Sequence, residues 1–271
     1  MSFVDKFGLK YYCDFNFENC DTLILSGGAL KCIYFLGALH KIREINPKKK
    51  FKFYGGTSCG AIVVSLLAIG YTPFEIYSEI IRSVDFTFYG ALDFTIDKVK
   101  NLFQKKNIDT DISIDDFEKL TGSKVGFIST NVSKLREELL ISKYHGSTSI
   151  ILAMKLSSSL PIIFPVLKYK NNIFTDGIFF DNFPIKLSDY FNSKEVVAIT
   201  TLNSHYDKRM QNYYKNSKKY KILMIPEINK QYFKMSNEDK FKMFVTGYNF
   251  IDKNINKLKV ETYKTSRRKT L

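Results

Sequence analysis

The 271-residue chain has no tryptophan, only three histidines and six prolines, and four cysteines (Cys13, Cys20, Cys32, Cys59), all within its first 59 positions. Each scarcity removes a class of function. The cysteines form no Cys-x-x-Cys pair and keep no ligand spacing with His40, His145 or His205, so no zinc or other metal site is expected. The N-terminal stretch MSFVDKFGLK lacks the apolar core of a secretory signal peptide, which predicts reduced thiols in a cytoplasmic setting. The best apolar run, AIVVSLLAIG at 61–70, is too short to span a bilayer, so a soluble or peripheral protein is expected. A Walker A loop, a proper GxGxxG fingerprint, internal repeats and low-complexity linkers are all missing.

What is present is an apolar fraction of 45% and an aromatic fraction of 15%, carried by 24 Phe and 17 Tyr, enough for a sizeable core. The net charge of +14 is unevenly spread: residues 205–271 hold 17 Lys and Arg against 6 Asp and Glu, and residues 1–204 hold 24 against 21. The chain therefore reads as a main unit over 1–204 followed by a basic C-terminal region over 205–271, a strand and helices packed on it or appended to it. Basic clusters attract anionic partners, either lipid surfaces or nucleic acid.

Along the main unit, TLILS (22–26) reads as a buried strand entering a glycine turn, and Ile33, Leu36, Leu39 and Ile42 mark a helix over 32–45. FKFY (51–54) is a second strand, GGTSCG a loop, and 59–69 a second helix; Thr72-Pro73 starts a third as N-cap and first residue. This β-loop-α-β-loop-α order predicts a parallel sheet flanked by helices. Residues 84–110 read as an irregular aromatic insert or lid. Further elements are a helix at 115–120, a strand at 125–130, a helix at 148–157, a hairpin turning at Asn171-Asn172, and strands at 195–202 and 221–226. In the tail, Phe241, Phe244, Tyr248, Ile251, Ile255 and Leu258 recur at helical steps, with Ser236 and Asp239 as a capping-box start. That stripe either packs on the core or lies on a membrane surface.

The chemistry centres on Gly56-Thr57-Ser58-Cys59-Gly60, a GxSxG placed between a strand and a helix, where a nucleophile elbow belongs. Its glycines let the backbone turn sharply beside the Ser58 hydroxyl, and the N-terminus of the next helix favours developing negative charge. Ser26-Gly27-Gly28-Ala29-Leu30-Lys31 is a second turn whose exposed N–H groups could hold an oxyanion. Asp176-Gly177 ends the hairpin. Ser58, Asp176 and His205 fit the order of a Ser-Asp-His triad, but His205 lies in the polar stretch NSHYDK and reads as an exposed loop residue. The other arrangement is a dyad of Ser58 and Asp176.

Taken together, GGALKC, GTSCG and Asp176-Gly177, with SSSLPIIFPVL before the aspartate and Asn182 and Pro184 after it, resemble the patatin-like phospholipase family over residues 21–202. The resemblance implies a three-layer α/β/α fold with a mostly parallel central sheet. It also implies Ser58 and Asp176 as catalytic dyad, an oxyanion loop of Gly27, Gly28 and Ala29, and supporting roles for Lys31, Gly56, Gly60 and Gly177. The implied activity is hydrolysis of acyl ester bonds in phospholipids or neutral lipids without metal or organic cofactor; the basic C-terminal region separately suggests contact with a peripheral membrane surface. The sequence departs from the family pattern where Ala29 and Cys32 replace glycines and where Ile178 replaces a small residue. Two other classes stand beside the enzyme: a weakly catalytic lipid- or anion-binding protein that keeps the fold, and a nucleic-acid binder. Tyr213, Tyr214, Tyr220, Tyr232 and Phe233 among the tail lysines suit stacking on single strands, but no recognition-module signature accompanies them.

Overall fold

The computed structural model describes residues 16–84, 90–161, 166–201, 219–228 and 235–268, with side chains through residue 255, and the backbone of two short strands, β1 (Ser2–Val4) and β2 (Lys10–Tyr12), paired antiparallel. Cys13, His205, Tyr213, Tyr214, Tyr232, Phe233 and part of the segment preceding Asp176 lie outside the described residues.

The first half of the main unit alternates as its apolar spacing predicts. Strand β3 (Thr22–Leu25) leads through a 3-10 turn (Ala29–Lys31) into α1 (Cys32–Ile45), and β4 (Phe53–Thr57) leads into α2 (Cys59–Ala68). Helix α3 (Pro73–Glu79) opens with a full capping box, Thr72 Oγ1 accepting from the Glu75 N–H and the Glu75 carboxylate from the Thr72 N–H. Then follow α4 (Ala91–Lys105), α5 (Ile114–Thr121), β5 (Lys124–Asn131), β6 (Arg136–Ile141), α6 (Ser142–His145) and α7 (Ile150–Ser158). The hairpin β7 (Leu167–Tyr169) and β8 (Asn172–Asp176) comes next, then the short helices α8 (Ile178–Asp181) and α9 (Leu187–Tyr190). Strands β9 (Val196–Thr201) and β10 (Tyr220–Ile225) and helix α10 (Asn237–Arg268) complete the described elements.

The main sheet has eight strands in the order β10-β9-β3-β4-β5-β8-β7, with β6 also paired to β5. Strands β10, β9, β3, β4 and β5 are parallel; β6 and β8 pair antiparallel with β5, and β7 pairs antiparallel with β8. All four residues of β3 are buried, as befits a strand covered on both faces. The larger core joins Leu23, Leu25 and Phe127 to α1, α2, α4, α7 and α10, while a smaller one packs Ile24, Ile128 and Ala198 under Ile185, Leu187 and Phe191. The fold is the mixed α/β architecture expected, with a central sheet and helices around it.

Several expectations need correction. Residues 91–105 are a helix, not an irregular insert: Leu92, Ile96, Val99, Leu102 and Phe103 recur at helical spacing and are buried. Residues 85–89 lie outside the described part. The second strand begins at Phe53 and runs through Gly55 and Gly56, which pair with β3 and β5; both are glycine because a side chain would collide, with Ile24 at Gly55 and with the Gly60–Ala61 backbone at Gly56. The hairpin turns at Lys170-Asn171, one residue earlier than expected, both with positive φ (44° and 59°) as a type I′ turn requires. Strand β6 has no counterpart in the sequence reading.

In the C-terminal region, β10 is an edge strand of the same sheet and α10 lies across α1. Met243, Phe244 and Ile251 are buried there, whereas Phe241, expected in the apolar stripe, is 51% exposed. The stripe is rotated because the helices touch backbone to backbone: a methyl group on Gly37 would overlap the Phe244 carbonyl, and one on Gly247 the Tyr34 carbonyl. Gly37→Ala is therefore expected to destabilise the protein by roughly 1–3 kcal/mol, read as a lower midpoint in thermal unfolding. Several tail lysines are also spoken for. Lys240 is buried and donates to the carbonyls of Arg82 and Val84, Lys221 pairs with Glu195, Lys219 with Asp189 and Lys242 with Glu238. Among the described residues no helix is long and apolar enough to cross a membrane, and no cluster of His, Cys, Asp and Glu could hold a metal ion.

Candidate active site

The sheet brings Ser58 and Asp176 together by a change of partner along one edge of β5. Strand β4 pairs with β5 only as far as Thr57 opposite Ile128; β8, arriving from the other direction, takes over with Asp176 opposite Ser129. The two strand ends meet head to head, so the residue after Thr57 faces Asp176. There is no room for a side chain at the junction. A methyl group on Gly177 would overlap the Ile128 carbonyl and lie 2.9 Å from Thr57 Cγ2.

At the end of β4 the chain turns sharply through Ser58, whose φ of 55° and ψ of −128° are strained for a residue with a side chain. Gly56 permits the turn, and Gly60 lets the start of α2 rest on the end of β3, since a methyl group on Gly60 would come within 2.6 Å of the Leu25 carbonyl oxygen. The Ser58 N–H donates to Ser157 Oγ (3.0 Å), which in turn donates to the Ile128 carbonyl (2.6 Å). Thr57 Oγ1 donates to the Asp181 carbonyl.

Ser58 Oγ donates to Asp176 Oδ2 at 2.7 Å, and the other carboxylate oxygen accepts the Ile178 N–H at 2.9 Å. Asp176 is only 2% exposed, and burial pushes its carboxyl up to about 6, against the opposing pull of these two hydrogen bonds. Its backbone is held on both sides, N–H to the Ser159 carbonyl and C=O from Thr130 Oγ1. Among the described residues no histidine bonds to Ser58 or Asp176. His145 faces Glu138 and Tyr169, and His40 sits near Glu44 and Phe244.

The glycine loop abuts the serine: a methyl group on Gly27 would lie 3.1 Å from Ser58 Cβ and 2.5 Å from Asn182 Oδ1. Of the three residues read as oxyanion donors, Gly27 is already engaged, its N–H donating to the Asn182 carbonyl at 2.9 Å. No acceptor among the described residues takes the N–H of Gly28 or Ala29. Gly28 has φ 148° and Ala29 φ 49°. The substitution at Ala29 thus keeps the donor while placing a β-carbon in a left-handed conformation that costs about 1–2 kcal/mol. Ala29→Gly is expected to relieve it, with a net gain of about 0.5–1 kcal/mol after glycine's greater unfolded-state freedom, visible as a raised thermal midpoint. Lys31 folds over Gly28 and its ammonium pairs with the nearly buried carboxylate of Glu227 (3.0 Å), so it braces the loop. Cys32 and Cys59 are both buried.

Sequence reasoning singled out Ser58, Asp176 and the glycines but missed Ser157, Thr57 and Glu227 as the groups that hold them. The Ser157-Ser158-Ser159 triplet was the one available signal, since clustered serine hydroxyls readily hydrogen-bond nearby backbone groups.

Comparison with known proteins places this geometry in context. A family model described as patatin-like phospholipase matches residues 23–189. The chain is 30% identical over 276 residues to "Probable lipid hydrolase 463L" of Invertebrate iridescent virus 6, covering 90% of this chain and 92% of that protein. It is 27% identical over 208 residues to the uncharacterized protein YqhO of Bacillus subtilis, covering 65% of this chain and 69% of that one. Among solved structures it is similar to VipD from Legionella pneumophila, with a TM-score of 0.60 at 14% identity over 94% of this chain and 70% of that one. The type III effector protein ExoU follows with a TM-score of 0.54 at 14% identity, over 88% and 53%. At these identities the structural likenesses concern the fold.

Proposed function

Since the chain belongs to the patatin-like phospholipase family, we propose that this lipid hydrolase cleaves carboxylic ester bonds of phospholipids or lysophospholipids with a Ser58–Asp176 dyad, through an acyl-enzyme. The observation that carries the reading is the 2.7 Å hydrogen bond from Ser58 Oγ to a buried carboxylate. Ser58 Oγ attacks the ester carbonyl while Asp176 takes its proton. The N–H groups of Gly28 and Ala29, supported by the N-terminus of α2, stabilise the oxyanion of the tetrahedral intermediate. The leaving alcohol recovers the proton from Asp176. Water then attacks the acyl-enzyme with Asp176 again as base, releasing a fatty acid and restoring Ser58.

The site faces a lipid surface in this reading. Ile178, Phe179 and Phe180 follow Asp176-Gly177 directly and are 39%, 59% and 37% exposed, an apolar rim beside the serine. Peripheral contact from a cytoplasmic location needs no spanning helix, and with Lys219, Lys221, Lys240 and Lys242 engaged within the fold, this rim takes precedence over the described part of the basic tail. A second reading, a weakly catalytic lipid-binding protein, draws on the engaged N–H of Gly27 and the strained Ala29. A fluorophosphonate probe and fatty-acid release from mixed phospholipid vesicles separate the two. The enzyme labels at Ser58 and releases fatty acid; a binding protein associates with vesicles and does neither.

A further inference from the structure

The strongest unassigned feature lies at the opposite end of β4 from Ser58. Between the C-terminal end of α1, the start of β4 and the end of α2 is a cavity of about 180 Å³. Its floor is apolar, formed by Leu23, Leu39, Ile42, Tyr54, Leu67 and Ala68. Its mouth carries Arg43, Lys48, Lys49 and Lys50, and no carboxylate lines it. Among the described residues none of these four cations has an ion-pair partner, in contrast to the lysines of the C-terminal region. Lys49 Nζ donates to the Glu18 carbonyl (2.7 Å) and lies over the Phe51 ring, and burial lowers its pKa against the opposing pull of the Asp21, Glu195 and Glu18 carboxylates, none of which pairs with it directly. Four cations at one mouth repel one another, and an apolar hollow open to water gains nothing from the solvent inside it.

One chemistry answers both halves. We propose that this cavity binds a single-chain fatty-acid anion, its alkyl chain on the Leu39–Ala68 floor and its carboxylate among Arg43, Lys48, Lys49 and Lys50. A cavity of about 150 Å³ lined by aliphatic side chains accommodates benzene, so this one holds a chain of roughly six to eight carbons, and longer chains project from the mouth. Two acyl chains exceed it, and an anion without a chain leaves the floor unused. The site stands a strand's length from Ser58 and does not depend on the catalytic reading. If that reading holds, the ligand is of the same class as the released product.

The test is calorimetric titration of the full chain with octanoate, octylamine, 1-octanol and inorganic phosphate. Octanoate is expected to bind saturably, at least about tenfold more tightly than octylamine or octanol, and phosphate not detectably. Arg43→Glu with Lys48→Glu is expected to weaken octanoate by about tenfold or more, since charge-assisted contacts carry the head group. Ala68→Phe, which fills the floor, is expected to remove binding while the protein remains folded by circular dichroism. Equal binding of octylamine and octanoate overturns the proposal, because the mouth then reads no charge. Phosphate binding as tight as octanoate overturns it too, because the floor then contributes nothing. Octanoate affinity unchanged in both variants overturns it as well, because binding then lies outside this cavity. The ligand comparison uses the unaltered protein, so a variant that fails to fold leaves the test intact, and loss of fatty-acid hydrolysis in other variants does not bear on it.

Discussion

Ser58→Ala is expected to lower lipid-ester turnover by about 100,000-fold, and Asp176→Asn by roughly 1,000- to 10,000-fold, measured as fatty-acid release from vesicles at saturating substrate. The inequality follows from the geometry. Removing Oγ removes the bond-forming atom, leaving only whatever Gly28 and Ala29 can do for attacking water. Asp176→Asn keeps the nucleophile, the turn at Ser58 and the loop, and removes only the proton acceptor 2.7 Å away. The double variant is expected to be no slower than Ser58→Ala alone, since the two groups act as one unit. Turnover in Asp176→Asn within tenfold of the unaltered protein would assign the proton to another group.

The same carboxylate governs behaviour toward pH. Burial raises Asp176 from 3.8 to about 6, so the base is ionised only above that value, and activity is expected to fall about tenfold per pH unit below 6. For stability the sign is opposite to that of a salt-bridged aspartate. Between about pH 4 and 6 the folded state holds a proton that the unfolded chain has released, so stability drops as pH rises through this window and stays low above it. A shift of this size corresponds to a cost on the order of 2–3 kcal/mol at neutral pH. Asp176→Asn is therefore expected to raise stability at pH 7 by about that amount while lowering activity as above, and to leave stability below pH 4 nearly unchanged. Denaturant titrations of both proteins at pH 4 and pH 7 measure the difference. Equal gains at the two pH values would mean that packing, not charge burial, is responsible.

How much of this was legible beforehand differs from element to element. Helix α1 was readable because Ile33, Leu36, Leu39 and Ile42 are spaced for one face, and α3 because Thr72 and Pro73 write a helix start in side-chain chemistry. The strand-loop-helix context around Ser58 was readable for the same reason. Helix α4 was not, because the aromatic run before it obscured a regular apolar spacing that begins at Ala91. Strand β6, REELLI, carries too little alternation to stand out, and its place is set by pairing with β5. At the site, Gly27 looked like an oxyanion donor because a glycine turn exposes N–H groups in general. That Asn182, 155 positions later, accepts this N–H is a fact of tertiary packing. The handover on β5 that brings Asp176 to Ser58 is likewise written in no local stretch.

The crossing of α1 and α10 bears on how the chain reaches its native state. Lys41 on the first helix and its partner Tyr248 on the last are 207 positions apart, and the glycines at the crossing admit no substitute neighbour. On a ribosome adding about 5–20 residues per second, α1 waits some tens of seconds before the helix that covers it has been made. During that interval the surface around Gly37 has no mate, and contacts this distant in sequence form late. Refolding of the 271-residue chain from denaturant is therefore expected to be limited by α10 docking, read as a slow phase that Gly37→Ala lengthens further.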